Sequence, residues 1–240
     1  MKITFITGAG VSTESGIPTY RDSDNGLWLD YKVDEVATHK GWKDNPEKVL
    51  SFHNMARTKL LDIKPNKAHI NIAELSKEHD VWVITQNIDT LHEQAGSEKV
   101  LHLHGNIQLM KSSDPLNTEK YPYDKDIKLG DLAPDGNQLR PDVVLFGEGV
   151  PAFSEATLKI ARADIVVVIG TSLQVYPAAD LLEYCKMGAA IYIIDPSDDV
   201  VLSLSISKPS FIEHIKKPAT TGIIDFIKKL NKPNSNFNTI

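Results

Sequence analysis

The chain has little cysteine: Cys185 is the only one in 240 residues. No internal disulfide can form, and a structural zinc site built from cysteines is excluded. Cys185 lies in a helical pattern, AADLLEYCKMG, where an inert core thiol is expected rather than a reactive one. A basic surplus is missing as well. Lys and Arg number 26 against 32 Asp and Glu, for a net charge of −6. This argues against a non-specific nucleic-acid binder, although a local basic site stays open. Long apolar runs are also lacking, and no stretch is long enough to span a membrane. The N-terminal MKITFITGAG passes from a short apolar run directly into glycines, as a first strand does and a signal peptide does not. The chain is therefore expected to stay in the cytoplasm. What remains is an ordinary soluble globular composition, 41% hydrophobic and 24% charged. The length suits one large domain or a domain with an insertion.

Short β-rich runs recur at 3–7, 81–85, 100–103, 143–146, 165–170 and 191–195. They are apolar on both faces, which fits buried strands of a parallel sheet covered on both sides. Helix-period stretches lie between them: a face of Val49, Phe52, Ala56 and Leu60, then 67–79, 154–163, 177–187 and 220–230. This alternation predicts an α/β doubly wound fold. Residues 17–45 are rich in Asp, Gly, Trp and Tyr and read as a loop or lid followed by short helices. Residues 111–141 are polar and dense in Pro, Gly and Asp, a length that marks a functional segment, partial disorder or an insertion. The tail 231–240 is polar and expected to fray.

Three motifs offer chemistry. TGAGVSTESGIPTYRD (7–22) follows the first strand; Gly8 and Gly10 permit a tight turn and close backbone approach, and a following helix N-terminus would offer N–H groups to a phosphate. The third glycine of a dinucleotide fingerprint would fall on Thr13, so a hydride-transfer enzyme is disfavoured. TQNIDTLHEQAG (85–96) places Gln86, Asn87 and Asp89 beyond a strand's carboxyl end, either as N-caps or as groups that hold a carboxamide or ribose. LHLHGN (101–106) puts His102 and His104 on one face of a strand. They could be metal ligands, a base with a neighbour, or polar residues on a wet face.

GAGVSTESGIPTYRD, TQNIDTLHEQAG, LHLHGN, LRPDVVLFGE, GTSLQVYPA and the late strand IYIID stand in the order and spacing of the sirtuin (Sir2-like) NAD-dependent protein deacylases. The resemblance runs from about residue 3 to residue 230 and is to the bacterial forms. It implies a Rossmann-like doubly wound parallel sheet with a smaller domain formed by insertions. The core would comprise about 1–30, 79–110 and 142–230, the insertions about 31–78 and 111–141. NAD is implied as co-substrate, with acylated-lysine proteins or peptides as partners and no direct nucleic-acid or membrane contact. By the same likeness Gly8, Ala9, Gly10, Thr13, Ile17 and Arg21 line the NAD site, with Tyr20 on the lid. Gln86 contacts the nicotinamide ribose, and Asn87, Ile88 and Asp89 line the nicotinamide pocket. Gly170, Thr171 and Ser172 bind phosphate and the adenosine ribose. Val144, Phe146, Gly147, Glu148 and Leu173 sandwich the peptide as an added strand. His104 matches the catalytic base, with Asn87 and Asp89 beside it, and His102 is read as a supporting neighbour. In the family the acyl oxygen displaces nicotinamide from the ribose, the base takes a hydroxyl proton, and free lysine and O-acyl-ADP-ribose result. Imidazole suits that task, since its pKa lies near working pH.

Three departures stand out. The family's two zinc-binding cysteine pairs would fall near 111–114 and before 136, and none is present, so no zinc is expected. Tyr121, Tyr123, Ile127 and Leu129 are candidates for the compensating packing. Relatives that remove acidic acyl groups use a Tyr-x-x-Arg pair; aligned on Phe52, this chain has His53 and Ala56, with Arg57 about 100° around the helix. A neutral acyl group such as acetyl is expected, although His53 and Arg57 could form an unusual acid-binding pair. Finally, Asp195 stands where Asn is common; its charge favours NAD over NADP, and Ser197 and Ala219 would frame the adenine. The competing readings are mono-ADP-ribosyl transfer, NAD hydrolysis and a non-catalytic NAD-binding module.

Overall fold

The computed structural model describes residues 1–18, 31–123, 125–198 and 211–232. Its larger layer is a six-stranded, all-parallel sheet. The strands are β1 (Lys2–Thr7), β2 (Asp80–Thr85), β3 (Val100–His102), β7 (Ile165–Ile169), β8 (Ala190–Ile194) and β9 (Phe211–Ile215), in the order β3-β2-β1-β7-β8-β9. The order reverses between β1 and β7, the switch point at which a doubly wound sheet opens a crevice beyond its strands' carboxyl ends.

Alternating side chains divide the sheet into two faces. On one, Ile3, Phe5, Val83, Val167 and Tyr192 pack under α4 (Lys67–Leu75) and α7 (Ala219–Leu230). On the other, Ile6, Ile84, Val168 and Ile193 pack under α6 (Phe153–Arg162) and a 3-10 helix, Ala178–Tyr184. The 177–187 stretch, expected as an ordinary helix, takes this tighter form. Phe226 and Phe5 are fully buried and meet edge to face at 6.1 Å.

A second sheet is antiparallel, in the order β5-β4-β6, with β4 (Gly105–Ser112), β5 (Lys120–Pro122) and β6 (Leu139–Val143). The run at 143–146, expected as a strand of the parallel sheet, instead begins at the end of this sheet's last strand, β6, and continues beyond it. Short apolar runs report burial, not which sheet receives them. Helices α1 (Val33–Val36), α2 (His39–Asp44) and α3 (Pro46–Leu61) accompany the small sheet, and α5 (Leu91–Gln94) follows β2. Asn45 caps α3 by accepting from the Lys48 N–H, with Pro46 in the first turn. α3 buries a broad face: Ala56 and Leu60 meet Ile107, Val143 and Leu145, while Leu50 meets Tyr123 and Ile127.

α4 lies within 31–78 yet packs on the large sheet, because Ala68, Ile72 and Leu75 face its core. β4 begins at residue 105, inside the stretch assigned to the core, and pairs only in the small sheet among the described strands. Gly105 makes the crossing. It sits at φ +87, and a Cβ there would lie 2.0 Å from the Asp142 carbonyl oxygen.

Candidate active site

Every strand end at the crevice carries a residue singled out in the sequence. After β1, Gly8 and Gly10 run against the loop after β7: the Gly10 N–H donates to the Gly170 carbonyl at 2.8 Å. A Cβ on Gly10 would come within 2.6 Å of the Gly170 Cα, and one on Gly170 within 2.3 Å of the Val11 nitrogen. Two strands thus deliver bare backbone to one place, as a bound pyrophosphate requires. The helix expected after the glycines is not formed. Ala9–Val11 and Thr13–Ser15 are single 3-10 turns, and the Thr13 hydroxyl donates back to the Gly10 carbonyl at 3.0 Å. Ile17 packs beside Ile88 on the Ile107 cluster. Tyr20 and Arg21 lie outside the described residues.

After β2, the Gln86 N–H bonds the Thr7 carbonyl at 2.8 Å, and its side-chain amide donates to the Thr171 hydroxyl at 2.9 Å. That hydroxyl also accepts from the Leu173 N–H. Thr171 and Leu173 are buried, and Leu173 takes an unusual φ of +50. Ser172 lies between them. The Ile88 carbonyl accepts from the Ile107 N–H at 2.9 Å, tying this loop to β4. After β8, Asp195 accepts from the Ser197 N–H at 2.9 Å. Ala219 opens α7, where Glu14 accepts from both the N–H and the hydroxyl of Thr220 (3.0 and 2.6 Å).

Sequence reading missed the hub of this site. Ser12, fully buried, donates to the Asp89 carboxylate at 3.2 Å and accepts from the Asn87 amide at 3.1 Å. His69 Nε2 lies 3.5 Å from the same oxygen. The Asn66 N–H donates to His69 Nδ1, so Nε2 carries the proton toward Ser12. Burial lowers the pKa of His69 to about 4. Burial raises that of Asp89, against the Leu91 N–H and the Ser12 hydroxyl, which favour its charge. The His69 ring also meets buried His92 at 4.7 Å. Ser12 and His69 are far apart in sequence, and only the Ser directly after GAGV hinted at the contact.

The two histidines of LHLHGN are held in parallel but charged differently. Each turns Nδ1 to a backbone carbonyl of the loop after β2, His102 to Asn87 (3.0 Å) and His104 to Gln86 (2.9 Å). A carbonyl only accepts, so both Nδ1 atoms carry protons. His102 Nε2 then meets the Glu93 carboxylate at 2.7 Å. Burial opposes its charge, but Glu93 and the Asn87 carbonyl outweigh that and raise its pKa. No such carboxylate meets His104 among the described residues; burial lowers its pKa despite the Gln86 carbonyl. His104 is therefore neutral near pH 7, with a basic lone pair on Nε2, while His102 favours the protonated form.

On the small layer, the Val144 N–H donates to the His104 carbonyl at 2.8 Å. Phe146 is 47% exposed, and Gly147 turns the chain at φ +90. The Glu148 carboxylate is taken up by Arg140 rather than free in the groove. His53 and Arg57 are both buried and hold other partners. His53 Nδ1 donates to the Val49 carbonyl at 2.8 Å; Arg57 lies 4.4 Å from the Tyr123 ring centre and 3.2 Å from Asp126. Among the described residues no cluster of three or more His, Cys, Asp or Glu could hold a metal ion. No helix among them is long and apolar enough to cross a membrane.

Known proteins share this fold. The Sir2 family matches residues 8–177. A Helicobacter pylori NAD-dependent protein deacylase is 46% identical over 228 residues, covering 95% of this chain and 96% of its own. A Bacteroides thetaiotaomicron protein of the same name is 45% identical over 237 residues, covering 96% and 98%. A solved Sir2 homologue in complex with NAD superposes with a TM-score of 0.79 at 36% identity, over 94% of this chain and 88% of that one. With the glycine crevice, the Gln86–Asp89 loop and His104 in one place, this chain belongs to the Sir2 family.

Proposed function

We propose that this chain is an NAD-dependent protein-lysine deacylase acting on neutral acyl groups, acetyl above all. The observation that carries it is the state of His104: a neutral imidazole, oriented by the Gln86 carbonyl, at the mouth of the crevice. The residues fit NAD. Gly8, Gly10 and Gly170 let two bare backbone turns pack closely where any Cβ would intrude, and Asn87 and Asp89 present an amide and a carboxyl together, suited to a carboxamide. Bound there, NAD supplies a ribose carbon activated by its nicotinamide leaving group. Gln86, Thr171 and Ser172 hold the ribose and phosphate groups, and Asp195 with Ser197 and Ala219 frames the adenosine end. His104 Nε2 takes the proton from a hydroxyl that becomes the nucleophile toward the acyl carbon. Val144, Phe146, Gly147 and Leu173 receive the acyl-lysine peptide.

Two features favour a neutral acyl group. Ala56 lies among Leu60, Ile107, Val143 and Leu145, an apolar surround that repels a carboxylate. Burial and Arg140 lower the pKa of His53 to about 4 against the Val49 carbonyl, so it brings no charge to an acid, and Arg57 is engaged by Asp126. The small layer is proposed to hold without zinc. Asn54 accepts from the Ile127 N–H and the Tyr123 hydroxyl, and Asn117 donates to Asp135 at 2.7 Å.

The test is a mass-spectrometric assay with NAD and matched acetyl-, succinyl- and long-chain-acyl-lysine peptides, with His104→Ala alongside. Expected is loss of acetyl with O-acetyl-ADP-ribose formed, and turnover about 10²- to 10⁴-fold lower in the variant. Nicotinamide release without deacylation would instead identify an ADP-ribosyltransferase or NAD hydrolase. Intact NAD throughout would identify a binding module.

A further inference from the structure

The segment that receives the peptide is not itself a strand. β6 ends at Val143, and beyond it the chain is fastened bond by bond. The Phe146 N–H donates to the Ala37 carbonyl and the His39 N–H to the Phe146 carbonyl, both at 2.9 Å. Gly147 then folds Glu148 back, so that its N–H donates to the Leu145 carbonyl (3.0 Å) while its Oε2 accepts from the Leu145 N–H (2.9 Å). The same carboxylate takes both arms of Arg140, Nη1 at 2.6 Å and Nη2 at 3.3 Å. Arg140 also donates to the Val143 carbonyl at 3.0 Å, and its guanidinium lies 5.1 Å from the Trp42 ring centre. His39 Nδ1 stands 3.3 Å from Glu148 Oε1. One carboxylate therefore joins the end of β6, the 144–148 turn and the first residue of α2.

We propose that Glu148, fixed by Arg140, is a positioning residue for peptide binding: it sets the backbone of residues 144–147 and does not itself touch the peptide. This rests on the deacylase reading and deepens it. The charge is spent internally. Arg140 is 5% exposed and a guanidinium keeps its charge, so without the carboxylate it would be left a buried cation that has lost its ion-pair partner. Burial raises the Glu148 pKa, but Arg140 and the Leu145 N–H outweigh it and hold the carboxyl below its usual range. Gln at 148 keeps the shape but has one acceptor oxygen in place of two. Its NH2 must then face either the Leu145 N–H or a guanidinium N–H, donor against donor. The turn must shift to relieve this, and the peptide's main-chain partners shift with it.

The experiment measures fluorescence anisotropy of acetyl-lysine peptides on the full chain, with steady-state kinetics and ADP-ribose affinity in parallel. Three peptides carry basic, neutral or acidic flanks. Glu148→Gln is expected to weaken peptide binding and raise the peptide KM by about tenfold or more. The factor should be the same for all three flanks, with ADP-ribose affinity unmoved and the loss falling on KM rather than kcat. Arg140→Lys, which keeps the charge but loses the fork, should show the same pattern and serves if Glu148→Gln does not fold. A loss confined to basic peptides would make Glu148 a direct contact and overturn the proposal, as would a fall in kcat with KM unmoved. If the wild type binds peptide but never deacylates it, the deacylase reading fails, while the binding comparison still decides the role of Glu148.

Discussion

Acid should unfold this protein through two buried histidines. His53 and His69 are 3% and 0% exposed, and the pKa of each is lowered by burial from 6.5 to about 4. His69 Nδ1 accepts the Asn66 N–H in the capping box of α4, so a proton placed there would face a donor and open the helix start. The sign follows from linkage. The unfolded chain takes up each proton near pH 6.5 and the folded chain only near pH 4, so stability is full above pH 6.5 and falls as pH drops between those values. At pH 4.5 each histidine has cost about 2.4 kcal/mol relative to pH 7. The two together cost about 5 kcal/mol, comparable with the whole stability of many domains. Guanidinium titrations at pH 7.0 and 4.5 measure this directly. In His53→Leu and in His69→Gln, the stability lost between the two pH values should shrink by about 2.4 kcal/mol each. Variants that keep the full wild-type pH dependence would refute the reasoning, because other groups, buried His92 and the carboxylates among them, would then carry the acid sensitivity.

Two further outcomes concern the site. Because burial lowers the pKa of His104, the acid limb of kcat/KM should have its midpoint below 6.5, and replacing His102, whose pKa is raised, should leave that limb in place; a pH–rate profile checks both. Gly170→Ala should weaken NAD binding by about tenfold or more, since φ +61 costs an alanine about 1–2 kcal/mol and its Cβ would meet Val11 backbone; calorimetry with NAD reads the loss.

How much of this was legible depends on where each signal lies along the chain. The parallel strands were visible because both their faces are buried, so that ITFIT, VWVIT and IVVVIG are nearly unbroken apolar runs. β9 was not visible: FIEHI is an edge strand with one partner, and its polar Glu213 and His214 break the apolar run. β4 was hidden for a similar reason, since GNIQLMKS alternates and its sheet has a wetter face. The glycines, Gln86, Asn87, Asp89 and His104 stand in local motifs at strand ends. Ser12 with His69 and Glu148 with Arg140 were not legible as pairs. Each pairing is a fact of three dimensions, and Ser12 and His69 are 57 residues apart.

The position of His104 would let one residue serve both proposed substrates. It is the last residue before Gly105, where the chain leaves the large layer and starts β4. Its ring is held by the Gln86 carbonyl, in the loop that would face the nicotinamide ribose. Its own carbonyl holds the Val144 N–H, at the start of the segment that would receive the peptide. Gly105 then admits no other residue, since any Cβ would run into the Asp142 carbonyl of β6. A shift of either layer would pull on His104. Acyl transfer between a peptide and a nucleotide needs the reacting atoms aligned to a fraction of an ångström. A base placed at this junction would make the two registers one, since the ring proposed to move the proton is held by the same backbone that would align its donor and acceptor.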